Sequence, residues 1–156
     1  MTHIKEGARA PVFKGKDQDG NIIGPDDFIG KKVVLYFYPK DDTPGCTAEA
    51  CNLRDNYDEL LAREFAIIGV SPDNGQSHTR FRGKYQLPFT LVADPDKEII
   101  KAYGVWGEKN RYGKKYEGVL RTTFIIDEKG IIIKIISNVN TGDHAAQILE
   151  SLGLTK

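Results

Sequence analysis

The sequence predicts an α/β fold built around parallel strands, and three observations carry that expectation. "KKVVLYFYPK" (31–40) and "FAIIGVS" (65–71) are short, unbroken apolar runs rich in β-branched and aromatic residues, the pattern of strands buried on both faces. Between them, "LRDNYDELLAREF" places Leu53, Tyr57, Leu60 and Leu61 at i, i+4, i+7 and i+8, one stripe of an α-helix. Strand, helix and strand in that order imply a right-handed parallel crossover, a βαβ unit.

The remaining elements follow along the chain. Upstream, "PVFKGKDQDGNIIG" suggests an extra β-hairpin with Asp19 and Gly20 at its turn. Downstream, "SHTRFRGKYQ" and "DPDKEIIKAYG" read as two short helices flanking a strand in "PFTLVAD". "GEKNRYGKKYEG" (107–118) reads as a polar, glycine-punctuated loop or irregular hairpin whose basic residues are solvated, with substrate or partner contact the weaker option. "RTTFIIDEKGIIIKII" is two apolar runs joined at 127–130, a β-hairpin, and "DHAAQILESLG" is a closing helix ending at Gly153. No repeat, low-complexity tract or linker divides the chain, so residues 1–156 are expected to form one domain. The order of elements resembles the thioredoxin fold with an N-terminal β-hairpin extension.

Composition narrows the function. A chain of 156 residues buries a full core without metal or disulfide staples. Lysine plus arginine and aspartate plus glutamate balance at 22 each, which removes any bulk pull towards nucleic acid or anionic membrane. "MTHIKEGARAPVF" lacks the apolar core of a secretory signal, and no apolar run is long enough to span a bilayer, so a soluble, cytoplasmic protein is expected. In a reducing compartment the two cysteines, Cys46 and Cys51, point to metal binding, to redox chemistry or simply to small buried side chains, rather than to a structural disulfide. Structural zinc needs about four ligands. The chain adds only the scattered His3, His78 and His144, without C-x-x-C or H-x-x-H spacing, so each histidine is expected at a polar surface or loop and no metal is expected.

Both cysteines lie in "YPKDDTPGCTAEACN" (38–52), where the first long strand hands over to the helix, the usual end for sites in open α/β sheets. Thr43 suits the N-cap and Pro44 the first helical position, which puts Cys46 in the first turn. Unpaired N–H groups and the helix dipole favour a thiolate there, making Cys46 the better nucleophile candidate. Cys46 also continues the apolar stripe through Ala50, Leu53 and Tyr57, whereas Cys51 falls towards Arg54, Asp55 and Asp58. Five residues of α-helix separate two Cα atoms by ~8.7 Å and turn their side chains apart by ~140°. That exceeds the ~7 Å that a disulfide spans without backbone movement. A Cys46–Cys51 bridge would therefore require the first turns to unwind, at a cost lowered by Gly45, Thr47, Ala48 and Ala50.

Pro39-x-x-x-Thr43-x-x-Cys46 resembles the active-site motif of peroxiredoxins, and "TPGCTAEACNLRD" is similar to the Q-type, or bacterioferritin comigratory protein, subfamily. The likeness continues through "GVSPDN", "LPFTLVADPDK", "YGVWGEKNRYGKKYEG" and "RTTFIID". The resemblance implies a thioredoxin-like fold of peroxiredoxin type and a thiol-dependent peroxidase of antioxidant defence, acting on hydrogen peroxide and alkyl hydroperoxides. It implies that Cys46 is the peroxidatic cysteine, oxidised to a sulfenic acid, and Cys51 the resolving cysteine that closes an intramolecular disulfide. It also implies that the Thr43 hydroxyl contacts thiolate and peroxide, that Pro39 shields the sulfenic acid, and that Arg121 stabilises the thiolate and the leaving oxygen. Glu49 matches a position that orients an arginine, beside the plain reading of an acid in a first helical turn. Thioredoxin or a similar dithiol is the implied reductant and a monomer the implied state, with no metal, haem or flavin. Read without the resemblance, Arg121 is an exposed charge.

Two rivals remain at this level. A thioredoxin-type thiol-disulfide oxidoreductase is opposed by the lack of C-x-x-C and by Arg121-Thr122-Thr123, where such proteins carry a cis-proline. A redox-sensing module whose helix unfolds on oxidation differs from a peroxidase in turning over poorly with a reductant.

Overall fold

The computed structural model describes residues 2–154, so Met1, Thr155 and Lys156 of the expected domain lie outside the described residues. In chain order its elements are β1 (Gly15–Asp17), β2 (Ile22–Ile23), β3 (Lys32–Phe37), α1 (Pro44–Asp55), α2 (Tyr57–Ala62), β4 (Phe65–Ser71), α3 (Gly75–Tyr85), β5 (Thr90–Ala93), α4 (Glu98–Ala102), β6 (Trp106–Arg111), β7 (Lys114–Val119), β8 (Thr122–Ile126), β9 (Ile132–Ile136) and α5 (His144–Ser151).

Seven strands form one mixed sheet in the order β2-β1-β5-β4-β3-β8-β9. The expected crossover is present: β3 and β4 run parallel, Val34 opposite Ile67, and β4 and β5 repeat the arrangement. On β3 the pleat sends Val34 and Tyr36 to one face, against Ala50, Leu53 and Leu60. Val33, Leu35 and Phe37 go to the other, against Ile99, Tyr103 and Val119. Helices α1, α2, α3 and α5 cover the first face; α4, Phe13 and the root of the β6–β7 hairpin cover the second. Each fully buried leucine or phenylalanine contributes roughly 1.5–3 kcal/mol, so the two-sided burial of β3 and β4 fixes the layer order. The N-terminal hairpin turns at Gly20 (φ 83°), with Asp17 Oδ1 accepting from the N–H groups of Asp19 and Asn21.

Two expectations need correction. The helix after β3 is not continuous: Asn56 leaves helical geometry (φ −110°, ψ 14°) and its side-chain amide donates to the Asn52 carbonyl at 2.8 Å, dividing α1 from α2. The stripe consequently ends at Leu60, and Leu61 is 43% exposed. Residues 107–118, expected as a loop or irregular hairpin, are neither a loop nor irregular. They form most of a regular antiparallel hairpin, Trp106 opposite Val119 through Arg111 opposite Lys114, turning at Tyr112 (φ 52°) and Gly113 (φ 78°). Positive φ at both turn positions suits the twist of a two-residue hairpin. The polar strands carry no apolar alternation because only their root packs on the core. Among the described residues, no helix is long and apolar enough to cross a membrane.

Candidate active site

The site is built where β3 ends and β8 begins. These strands are antiparallel neighbours with Phe37 opposite Thr122, so the residue before Thr122 stands beside whatever follows Phe37. The chain leaves β3 through Tyr38, whose N–H still donates to the Val70 carbonyl, bends at half-buried Pro39 and enters α1 at Pro44. Arg121 is thereby brought against the first two turns of α1. Its Nη2 donates to Cys46 Sγ at 3.3 Å and its Nη1 to Glu49 Oε1 at 2.8 Å. Cys46 and Glu49, three apart, share one helix face, and the two arms of one guanidinium match that spacing. Arg121 is not the exposed charge that local sequence suggests: its side chain is 22% exposed.

Thr43 occupies the cap position with extended backbone, but its side chain makes no cap bond. The hydroxyl instead donates to the Lys40 carbonyl at 2.9 Å. Cys46 lies two residues inside Pro44, as expected, and is buried with Ala50 and Leu53 in the face that α1 presents to the sheet. Cys51 is half-buried, and both cysteines are free thiols on one unbroken helix. Glu49 falls in the second turn, not the first, and is fully buried. Burial pushes its carboxyl up to about 7, against the opposing pull of Arg121. For Arg121 burial acts downward, yet the Cys46 and Glu49 charges together hold its guanidinium above its ordinary range.

Two histidines expected at a polar surface or loop are instead buried on helices. His144 opens α5 behind Glu49: its Nε2 lies 2.8 Å from Thr123 Oγ1 and 3.5 Å from Glu49 Oε2, and Nδ1 lies 2.9 Å from Gln147 Oε1. Burial, joined by Arg121, lowers it to about 4 although the Gln147 bond opposes. His78, on α3, faces acceptors at both ends, Asp41 Oδ2 at 2.7 Å and the Val92 carbonyl at 3.0 Å. Asp41 also accepts from the Tyr38 hydroxyl and Ser77 Oγ, and its N–H donates to Asp73 Oδ2, so this network pins the loop that carries Pro39 and Thr43. Ligand atoms of Asp41, Asp73 and His78 lie close enough together to hold a cation, but the protein's own donors occupy them. Neither histidine has a sequence signature, because apart from Gln147, one turn along α5 from His144, their partners are brought in by the fold.

Lys109 returns from the β6–β7 hairpin to donate to the Val119 carbonyl at 2.9 Å. Burial and the neighbouring Arg121 lower its ammonium, with Cys46 opposing. It shares with Leu120, Arg121, Thr122, Asn138 and Val139 a cavity of about 410 Å³. A similar, more apolar cavity lined by Phe13, Phe28, Val33 and Ile126 lies by the start of β3, at the opposite end of that strand from the handover to α1.

The fold is thioredoxin-like, of peroxiredoxin type, and its candidate site is a buried thiol in the first turn of a helix, bonded by an arginine from a neighbouring strand of the sheet. The chain belongs to the AhpC/TSA family, whose model matches residues 7–135, and within it to the peroxiredoxins of Bcp, or Q, type. It is 43% identical to Peroxiredoxin Bcp of Bacillus subtilis over 149 residues, 96% of this chain and 95% of that one. It is also 43% identical to Peroxiredoxin Bcp of Escherichia coli over 152 residues, 97% of each. Among solved structures, PrxQ of Xylella fastidiosa, as a cysteine-to-serine variant, superposes with a TM-score of 0.90 at 29% identity over 98% of both chains. The bacterioferritin comigratory protein of Xanthomonas campestris, studied for its alkyl peroxide reduction activity, gives 0.83 at 33% identity over 90% of both.

Proposed function

We propose that this peroxidase works as a 2-Cys enzyme within one chain, with Cys46 as the peroxidatic and Cys51 as the resolving cysteine. The observation that carries this reading is the Arg121 Nη2 contact to Cys46 Sγ at 3.3 Å, with a second free thiol five residues along the same helix. The Cys46 thiolate attacks the terminal oxygen of a hydroperoxide, ROOH. The S–O bond forms, the O–O bond breaks, Cys46 becomes a sulfenic acid, and the departing alkoxide takes up a proton to leave as ROH. The guanidinium faces both the thiolate and the charge developing on the leaving oxygen. With its own proton committed to the Lys40 carbonyl, the Thr43 hydroxyl offers lone pairs to the peroxide O–H, and Pro39 borders the site against water.

Resolution then needs the helix to open. The thiolate of Cys51 attacks the sulfenic sulfur, hydroxide leaves as water after protonation, and the disulfide closes as the turns between the cysteines unwind. A dithiol such as thioredoxin reduces the exposed bridge. The alkyl peroxide reduction studied in the Xanthomonas relative supports an organic hydroperoxide as substrate beside hydrogen peroxide. An intramolecular resolving thiol suits a monomer of one domain, and the cytoplasm supplies the reductant.

Peroxide consumption with and without thioredoxin, in wild type, Cys46→Ser and Cys51→Ser, tests the assignment. Cys46→Ser is expected to lose all activity. Cys51→Ser is expected to form the sulfenic acid once and then stall; full thioredoxin-dependent turnover in that variant would refute Cys51 as the resolving residue.

A further inference from the structure

Glu49 holds Arg121 through Oε1, but its other carboxyl oxygen, Oε2, is buried and makes no hydrogen bond. The group facing it is His144 Nε2 at 3.5 Å. The tautomer of that ring follows from its surroundings. Gln147 Nε2 donates to the Asn138 carbonyl at 2.7 Å, so Gln147 Oε1 is the acceptor, receiving the Asn140 N–H at 2.8 Å and His144 Nδ1 at 2.9 Å. The neutral ring therefore carries its hydrogen on Nδ1, and its Nε2 lone pair accepts the Thr123 hydroxyl at 2.8 Å, so His144 has no hydrogen to offer Oε2. An ionised Glu49 would then turn that oxygen towards a nitrogen without a hydrogen, with both side chains fully buried. A buried carboxylate oxygen with no donor is expensive; a proton on Oε2 removes the conflict.

The surrounding charges point the same way. Cys46 as a thiolate and Glu49 as a carboxylate would leave Arg121, bonded to both, outnumbered two to one. Lys109, the next cation, is half-buried and donates to the Val119 carbonyl. From β3 the Tyr36 hydroxyl also makes no hydrogen bond, so it does not relieve Oε2. We propose that Glu49 holds one proton behind Arg121 while Cys46 is a thiolate, and releases it when the sulfur becomes neutral. His144 is thus a positioning residue that acts through Glu49, by leaving Oε2 without a donor. When the thiolate attacks ROOH, its negative charge leaves with RO⁻; the proton on Oε2 becomes surplus in the cluster and passes to solvent, offsetting the proton that RO⁻ takes up to become ROH. Burial of both groups, which raises the Glu49 carboxyl and lowers the His144 ring, locates that proton on Oε2.

The proposal rests on Cys46 being the reacting thiolate, and its test avoids peroxide so that the two can fail separately. Reduced Cys51→Ser protein, labelled with ¹³C-glutamate and held at a pH where ultraviolet absorbance reports Cys46 as thiolate, is capped with iodoacetamide in weak buffer. Capping a thiolate itself releases no proton. The expected result is release of about one proton per capped chain, with loss of a protonated-carboxyl infrared band that is absent from Glu49→Gln. That band should lie at the position of an unbonded carboxyl, and in Thr123→Val, which frees the Nε2 lone pair for the Glu49 O–H, it should move towards that of a hydrogen-bonded one, a change that a purely structural role for His144 would not produce. No proton release and no carboxyl band in the His144-containing protein would overturn the proposal, even if Cys46 proved to be the peroxidatic residue.

Discussion

Arg121 Nη2 stands 3.3 Å from Cys46 Sγ, although 75 residues separate the two in sequence. The contact depends on two independent alignments: the antiparallel register that puts Thr122 opposite Phe37, and the start of α1 at Pro44. Arg121→Ala is expected to slow Cys46 oxidation and alkylation by about 10²-fold, the size seen when one stabilising donor is removed from a charge-developing site. The fold should survive, because burial favours the neutral Glu49 carboxyl and loss of Arg121 leaves no bare charge there. Arg121→Lys should recover little, since an ammonium does not bond sulfur and carboxylate at once with fork geometry. Unchanged alkylation rates in both variants would remove Arg121 from the site.

Gly45 lies beneath that guanidinium. A Cβ at this position would sit 3.3 Å from Arg121 Nη2, closer than most such contacts, so the side chain must give way. Alanine also favours the helix by up to ~1 kcal/mol over glycine. Gly45→Ala is therefore expected to raise or preserve thermal stability while slowing peroxide reduction several-fold, less than the ~10²-fold that a 1 Å misplacement costs. Parallel gains in stability and rate would show that the glycine serves neither the approach of Arg121 nor helix opening.

Asn52 ties α1 to α5. Its Oδ1 accepts from the Ala145 N–H at 2.8 Å and its Nδ2 donates to the Gly142 carbonyl at 3.3 Å, while Asp143, at the cap position of α5, makes no side-chain cap bond. Asn52→Ala should cost about 1 kcal/mol in urea denaturation, the worth of an N-cap, and Asp143→Ala almost nothing. If the proposed Cys46–Cys51 disulfide closes by unwinding α1, Asn52 is carried away, and amide exchange should then rise in the first turn of α5 as well as across residues 43–52. Exchange confined to residues outside both segments would count against the unwinding step.

What the sequence disclosed and what it hid divide along contact range. The strand runs 31–40 and 65–71 and the stripe Cys46, Ala50, Leu53 are local patterns, and each one marks an element or face that the structure contains. Arg121 was found only through resemblance, since nothing in "VLRTTF" tells a buried arginine from an exposed one. The sequence points His78 and His144 to a polar surface or loop because the residues that satisfy them in the core, Asp41 and Val92 for one, Thr123 and Gln147 for the other, arrive mostly from distant segments. For residues 107–118 the sequence leaves loop and irregular hairpin both open, and hides the regular pairing of β6 with β7, because strands that pack on little else need no alternation. Asn56 broke the helix through a single side-chain bond to Asn52, a local competition that the apolar period does not register.

Glu49 and His144 should also set opposite pH slopes of stability. Glu49 rises on folding from an ordinary 4.5 to about 7, so its contribution is complete below pH 4.5 and is lost as pH climbs through 7. His144 falls from 6.5 to about 4, so its contribution is present above pH 6.5 and is lost as pH drops through 4. Between pH 4.5 and 6.5 the unfolded pair holds one proton on histidine and the folded pair one on glutamate, so their slopes cancel. In Glu49→Gln only the histidine slope remains, and stability should increase with pH over this window by up to about 3 kcal/mol. In His144→Gln only the glutamate slope remains, and stability should decrease with pH by a similar amount. Urea midpoints at pH 4.5, 5.5 and 6.5 distinguish the cases: the two variants should diverge in opposite directions from a flatter wild type, and parallel profiles for all three proteins would mean that neither group is held away from its ordinary range by burial.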